Sequence, residues 1–300
     1  MEQTQPLVSC ILPTYNRRHL IGAAIRQFLR QTYSNKELII VDDGEDCIED
    51  IVKTVNHPSI SYIRWNDHIT IGRKRNIACE NAKGEYIAHF DDDDWYSPHR
   101  LAEQVQLMKQ SGCLLTGYNS VMMYHQKSDR AIHYYEDPTS IVGATFMYRK
   151  DYWKTHRFPD VSIGEDTYFM RRVPQDYLIG SPGLNRFIIV DGHGSNVSDR
   201  TFDAWLARYP EVQIEEVHKL ITFKTRPIMI FINSKNNKDV PDKLLNSAKS
   251  EQAIMKTLGY DAELVVSTKC KHKLNSQLFK FEPTDTISHF DLVSKVLECN

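Results

Sequence analysis

Four short apolar runs, separated by segments with helical periodicity, dominate the first hundred residues of the chain. The runs cover residues 7–12, 38–41, 60–64 and 85–90. The first is continuously apolar and is closed by Pro13, a pattern typical of a parallel strand buried on both faces. This alternation of strands and helices predicts an α/β fold with a mostly parallel, doubly wound sheet.

The pattern changes further along the chain. Strand-like runs at residues 114–135, 144–149 and 186–190 surround a helix that begins near Glu165. From about residue 226 a second α/β pattern begins, with strands at 227–232 and 263–266 and helices at 242–258 and 288–297. We therefore predict a main domain at residues 1–225 and a small C-terminal α/β appendage of unknown role at residues 226–300.

Composition limits the functional classes. The 300-residue chain has a formal net charge of −2, which argues against a general nucleic-acid binder. It shows no basic-then-apolar leader, and no apolar stretch approaches the roughly 20 residues needed to span a bilayer. The six cysteines are scattered and form no C-x-x-C pair, so we expect reduced thiols and a cytoplasmic protein.

Polar clusters follow three of the four predicted strands. They are residues 14–16, residues 42–44 and the four consecutive aspartates at 91–94, called the aspartate run below. In open α/β sheets, ligands bind at the carboxyl ends of the strands. A solvated acidic turn is the alternative explanation of the aspartate run, but its apolar and aromatic flanks favour a cation site. Carboxylates select hard cations such as Mg²⁺ or Mn²⁺, which proteins commonly share with substrate phosphates.

Five motifs, taken in order, closely resemble those of family 2 glycosyltransferases of the GT-A fold. They are SCILPTYNR, ELIIVDDG, GRKRN, GEYIAHFDDDDWYSPHRL and GEDTYF, and the resemblance covers about residues 6–200. Each motif alone is weakly specific, whereas the ordered set is highly specific. The resemblance implies a nucleotide-diphospho-sugar transferase fold and transfer of a hexosyl group.

The resemblance also implies a nucleotide-binding role for several residues. Thr14 and Tyr15 would line the nucleotide site, with Tyr15 packing on the base. Asp43 would accept a hydrogen bond from the imide N–H of the base, which favours uracil. Arg73 or Arg75 would lie near the base or the phosphates.

The same resemblance assigns roles to the aspartate run. Asp91 and Asp92 would lie near the ribose, and Asp93 would bind the divalent metal that bridges the pyrophosphate. Because every position of the run is aspartate, Asp94 is an alternative ligand. His193, in a glycine-rich loop after the last strand of the main domain, would complete the metal shell; an exposed or structural histidine is the alternative.

The catalytic base is expected at the acidic pair of the GEDTYF motif. In most relatives the second acid of such a pair takes the proton, which favours Asp166 and leaves Glu165 as the alternative. One of the two acids could instead cap the following helix.

The sequence therefore predicts a metal-dependent, inverting glycosyltransferase that uses Mn²⁺ or Mg²⁺. The donor would be a nucleotide-diphosphate sugar, with UDP favoured, and the acceptor a glycan or a lipid-linked saccharide. Enzymes of this kind often act at the inner face of a membrane. The basic residues of this chain are too dispersed to support or exclude binding to a membrane surface. The alternatives are a sugar-phosphate nucleotidyltransferase, disfavoured because no glycine-rich loop follows the first strand, and a non-catalytic sugar-nucleotide-binding module.

Overall fold

The computed structural model describes residues 5–135, 140–184, 186–191, 202–221, 228–233, 242–260, 262–267 and 277–281. The chain divides into two compact units, residues 1–49 with 58–222 and residues 50–57 with 223–300. The predicted boundary between residues 225 and 226 lies outside the described residues and stays a prediction.

The first half of the first unit is an open α/β sheet. Its parallel strands are β1 (Val8–Thr14), β2 (Lys36–Asp42), β3 (Ile60–Arg64) and β4 (Tyr86–His89), in the order β3-β2-β1-β4. Along the chain, the helices between these strands are α1 (Arg18–Leu29), α2 (Glu49–Val55) and α3 (Ile71–Asn81), of which α1 and α3 belong to this unit. β1 is buried along almost its whole length, as its apolar run predicts. The parallel pairing brings the carboxyl ends of β1 and β4 side by side.

The second half of this unit continues the sheet in mixed orientation. It contains β5 (Trp95–Tyr96), α4 (Arg100–Ser111), β6 (Leu115–His125), β7 (Arg130–Tyr135), β8 (Met147–Arg149), α5 (Lys150–Thr155), α6 (Glu165–Arg171), β9 (Leu178–Pro182), β10 (Phe187–Asp191), α7 (Phe202–Leu206), β11 (Glu211–Val212) and α8 (Ile214–Ile221). Antiparallel pairing joins β4, β8, β6, β7 and β11 in that order. β9 and β10 lie parallel to β6, and β5 pairs with β10. The α/β class is confirmed, with parallel pairing most regular in the first four strands.

Close packing between α3 and the segment before α6 positions the acidic pair. A Cβ atom on Gly72, near the start of α3, would lie 1.9 Å from the carbonyl oxygen of Pro159, so only glycine fits there. Asn76 donates a hydrogen bond to the carbonyl of Phe158 and accepts one from the indole of Trp153. The ring of Phe158 stacks on Phe169 of α6 at 4.3 Å. These contacts hold the first turn of α6 near the end of β4.

The second unit contains α2 and a small parallel sheet. The sheet has the order β13-β12-β14, with β12 at Ile228–Asn233, β13 at Ala262–Ser267 and β14 at Gln277–Phe281. Helix α9 (Asp242–Thr257) connects β12 to β13. The helix predicted at 288–297 lies outside the described residues. No helix in the described parts of the chain is both long enough and apolar enough to cross a bilayer.

Candidate active site

A cavity of about 1320 Å³ opens in the first unit where β1 and β4 end. Its wall includes Thr14 to Arg17 after β1, the whole aspartate run after β4, and Glu165 and Asp166 at the start of α6. Residues from three separate stretches of sequence, singled out by their motifs, therefore share one cavity.

Asp92 and Asp93 are bound by hydrogen-bond donors from the first motif. Asp92 accepts hydrogen bonds from the Thr14 hydroxyl at 2.7 Å and from Arg17 Nη1 at 2.7 Å. The same Nη1 atom donates to Asp93 Oδ2 at 2.8 Å. Burial and the neighbouring Asp93 charge raise the pKa of Asp92, although Arg17 and Thr14 oppose the shift. The sequence analysis did not identify Arg17 as a site residue.

Asp91 and Asp94 differ in their surroundings. Asp91 is partly exposed to the cavity, and its Oδ1 atom lies 3.6 Å from Arg75 Nη2. Burial raises the pKa of Asp91 to about 6, against the opposing effect of Arg75. Asp94 is buried, and its carboxylate accepts a hydrogen bond from the backbone N–H of Val190 in β10 at 3.1 Å. Asp94 thus ties the aspartate run to the sheet, which weakens its alternative assignment as a metal ligand.

The Asp43 carboxylate is completely enclosed. Oδ1 accepts a hydrogen bond from Lys74 Nζ at 2.7 Å, and Oδ2 accepts one from the backbone N–H of Ile69 at 2.8 Å. His68 Nδ1 lies 3.0 Å from the same Oδ2 atom, and the His68 ring lies 4.2 Å from the ring of Tyr15. The exposed His68 side chain therefore makes both contacts that the sequence analysis assigned to a nucleotide base.

The three cationic residues of the GRKRN motif lie in different environments. Arg73 is exposed, with its guanidinium over the ring of Trp65, and it does not line the cavity. Lys74 is buried and pairs with Asp43, and Arg75 is buried within the cavity wall. Of the two predicted arginines, Arg75 lines the cavity and Arg73 does not, and Lys74, which was not predicted as a site residue, lines it as well.

The two acids that begin α6 have different partners. Glu165 is buried, and its Oε1 atom forms an ion pair with Arg75 Nη1 at 3.0 Å. Burial raises the pKa of Glu165, and Arg75 opposes that shift. Asp166 is partly exposed, lines the cavity and accepts hydrogen bonds from the N–H and hydroxyl of Thr167 through Oδ1.

The backbone at Gly143 lies against the second carboxylate oxygen of Asp166. A Cβ atom on Gly143 would be 1.8 Å from Asp166 Oδ2, so the glycine makes room for this carboxylate. The carbonyl of Gly143 lies 2.8 Å from Nδ1 of the buried His89, and Arg100 donates to the carbonyl of His89. Burial and the charge of Arg75 lower the pKa of His89 well below its usual value. A neutral His89 that donates from Nδ1 thus fixes Gly143, and Gly143 limits the position of Asp166.

The donor set at the aspartate run fits a hard divalent cation. Asp91 and Asp93 present partly exposed carboxylates to the cavity, and oxygen ligands of this kind are those that such cations prefer. Among the described residues, no three His, Cys, Asp or Glu side chains are already arranged around a common metal position. His193 lies outside the described residues, and its role as a ligand stays a prediction.

Comparisons with known proteins agree with the motifs. The sequence model described as "Glycosyl transferase family 2" matches residues 9–173. The chain is 43% identical over 103 residues to the putative colanic acid biosynthesis glycosyl transferase WcaA of Escherichia coli, a match that covers 33% of this chain and 37% of that protein. It is 29% identical over 181 residues to the putative teichuronic acid biosynthesis glycosyltransferase TuaG of Bacillus subtilis. That match covers 55% of this chain and 71% of TuaG.

Solved structures share the fold at low sequence identity. The Staphylococcus aureus TarS 1–349 complex with UDP-GlcNAc gives a TM-score of 0.55 at 16% identity, covering 84% of this chain and 71% of that one. The mannosyltransferase PcManGT from Pyrobaculum calidifontis, in complex with GDP-Man and Mn²⁺, gives 0.52 at 16% identity and covers 86% and 73%. These similarities confirm the predicted GT-A fold.

Proposed function

Because the chain belongs to glycosyl transferase family 2, we propose that it is a metal-dependent, inverting enzyme that transfers a sugar from a UDP-sugar to an acceptor hydroxyl. The observation that carries the proposal is the shared cavity, whose wall contains an aromatic side chain for a base, carboxylates for a cation and an exposed acid on α6. Each of these groups has one step of the reaction to perform.

The base subsite consists of Tyr15 and Asp43 in this proposal. Asp43 pairs with Lys74 through Oδ1, and its Oδ2 atom can accept the imide N–H of uracil once His68 moves away. His68 is the exposed partner of the three, so its displacement disturbs little of the fold. The UDP-GlcNAc bound to TarS, and the name UDP-Glc:alpha-D-GlcNAc-diphosphoundecaprenol beta-1,3-glucosyltransferase of the relative WfaP, support a UDP-linked donor.

Asp93 and Asp91 would hold the divalent cation, either Mn²⁺ or Mg²⁺, and the Mn²⁺ bound to PcManGT supports this choice. When bound, the cation supplies Lewis-acid stabilisation of the charge that develops on the leaving diphosphate. Asp92 accepts hydrogen bonds from Thr14 and Arg17, and Asp94 anchors the run to β10. In this proposal Asp91 and Asp93 share the cation, whereas Asp92 and Asp94 do not bind it.

Asp166 is the proposed base. It is partly exposed in the cavity, whereas Glu165 is buried and paired with Arg75. The acceptor hydroxyl attacks the anomeric carbon from the face opposite the leaving diphosphate, and Asp166 takes its proton, which is worth roughly 10² to 10⁴ in rate. A single base on the side opposite the leaving group gives inversion.

The acceptor is proposed to be a hydroxyl of a glycan or lipid-linked saccharide in polysaccharide biosynthesis. The names of WcaA, TuaG and WfaP, which refer to colanic acid, teichuronic acid and a diphosphoundecaprenol-linked sugar, support this class. A lipid-linked acceptor would require peripheral contact with a membrane surface.

The test is a screen of UDP-sugars as donors in the presence of Mn²⁺, with GDP-mannose for comparison. The measured quantity is the release of UDP or GDP. We expect UDP release that depends on the metal and is lost in Asp166→Asn. Release of pyrophosphate from UTP and a sugar phosphate would instead support the nucleotidyltransferase alternative. Binding of UDP without turnover on any acceptor would support the non-catalytic alternative.

A further inference from the structure

The guanidinium group of Arg17 already lies within the proposed metal site. Nη1 of Arg17 donates to Asp92 Oδ1 at 2.7 Å and to Asp93 Oδ2 at 2.8 Å, so a single nitrogen bridges two adjacent carboxylates. The side chains of Arg17 and Asp93 are both about 15% exposed, and that of Asp92 is buried. Asp93 is also one of the two carboxylates proposed to hold the divalent cation.

The other basic side chains beside the aspartate run are held elsewhere. Lys74 is buried in its pair with Asp43, and Arg75 is buried between Glu165 and Asp91. The side chains of Lys74 and Arg75 are 4% and 6% exposed, against 14% for Arg17. Arg17 instead lies at the cavity surface, immediately before α1, and its side chain makes no capping hydrogen bond to that helix.

We propose that Arg17 is an exchangeable counter-ion that neutralises Asp92 and Asp93 in the donor-free enzyme and moves to the donor's diphosphate when the divalent cation binds. This inference rests on the proposed function. The cation and the guanidinium compete for the same carboxylate oxygens, because neither can approach Asp93 Oδ2 while the other occupies it. A displaced guanidinium has a planar pair of N–H donors that matches two phosphate oxygens, so the diphosphate is its natural new partner.

The proposal predicts opposite effects of one substitution on two ligands. In Arg17→Ala, Mn²⁺ should bind more tightly in the absence of nucleotide, by about three- to tenfold, because its competitor is gone. UDP should bind the Mn²⁺-saturated variant about tenfold more weakly, because a charged contact to phosphate is lost. Arg17→Lys should restore most of the competition with Mn²⁺ but only part of the UDP affinity, because an ammonium group lacks the planar fork.

The measurements are electron paramagnetic resonance of free Mn²⁺ and calorimetric titration of UDP, with the melting temperature as a check on folding. Arg18→Ala is the matched control, since this neighbouring arginine donates to the carbonyl of Cys47 and does not line the cavity. It should change neither affinity.

Two results would overturn the proposal. Unchanged or weaker Mn²⁺ binding in Arg17→Ala would make Arg17 a fixed structural partner of the aspartates. Unchanged UDP binding in Arg17→Ala would show that Arg17 does not contact the diphosphate. Failure of every variant and of the wild type to bind UDP would reject the proposed donor itself, whereas the Mn²⁺ titration still tests the competition independently.

Discussion

Gly143→Ala tests whether the position of the Asp166 carboxylate controls turnover. The added Cβ would lie 1.8 Å from Asp166 Oδ2, whereas ordinary contact begins at 3.4 Å, so the two groups must separate by roughly 1.6 Å, the difference between these values. The backbone of Gly143 does not have a positive φ, so the substitution adds a clash without backbone strain. His89 holds the Gly143 carbonyl from the other side, so the carboxylate is the group that moves.

The expected loss follows from this displacement. A misplacement of about 1 Å at a reacting group can cost about 10²-fold in rate, so we expect kcat to fall by about two orders of magnitude. The extra methyl group should also lower the free energy of unfolding by about 1–3 kcal/mol through overpacking. UDP affinity should change little, because the base subsite proposed for the nucleotide is formed by Tyr15, after β1, and Asp43, after β2.

The assay is a double-mutant cycle of kcat with Gly143→Ala and Asp166→Asn, alongside UDP titrations of each variant. If Gly143 acts through Asp166, the second substitution should add almost nothing to the loss caused by Asp166→Asn. A kcat of Gly143→Ala within threefold of the wild type would refute the reasoning. Full additivity of the two losses would refute it as well.

Four further substitutions separate the other roles. Asp166→Asn should keep UDP affinity and lose about 10² to 10⁴ in transfer. Glu165→Gln should mainly lower the melting temperature, because it removes the closer of the two carboxylates that compensate the buried Arg75 charge. The reverse pattern would exchange the two assignments. His68→Ala should bind UDP several-fold more tightly, because the His68 ring of the wild type competes with the base for Tyr15 and Asp43. Equal or weaker binding would contradict the proposal that His68 occupies the base subsite in the free enzyme. Asp91→Asn should raise the melting temperature at pH 7.5 but not at pH 4 in metal-free buffer. Folding raises the pKa of Asp91 from 3.8 to about 6. The folded state therefore loses on the order of 3 kcal/mol of stability as the pH rises from 3.8 to about 6 and the carboxyl ionises. A lower melting temperature of Asp91→Asn at pH 7.5 would contradict this direction of the pH dependence.

The sequence predicted the parallel half of the sheet well because local patterns determine it. The strand expected at residues 60–64 is β3 with the same bounds, and the helix expected from Ile71 is α3. The strands β5 and β11 were missed because each is two residues long and exists only through pairing with a distant strand. Such short elements carry no hydrophobic period of their own.

The site residues that the sequence missed depend on side-chain direction. Successive residues of a helix point about 100° apart, so the motif GRKRN does not reveal that Lys74 faces Asp43 while Arg73 faces solvent. Arg17 bridges Asp92 and Asp93 directly after Asn16, whose φ of 53° lies in the left-handed region, and the residue order around it indicates neither feature. The bond from Val190 to Asp94 joins residues 96 positions apart, and no local pattern indicates it.

Calorimetric titration of UDP in Mn²⁺ and in EDTA tests whether this cavity binds a UDP-sugar together with a divalent cation. We expect UDP to bind in Mn²⁺, to bind at least tenfold more weakly in EDTA, and to bind more weakly again when Asp43→Asn alters the base subsite. GDP should bind less well than UDP under the same conditions. Equal affinity for UDP in Mn²⁺ and in EDTA, or no binding in either, would exclude joint binding of a UDP-sugar and a divalent cation in this cavity.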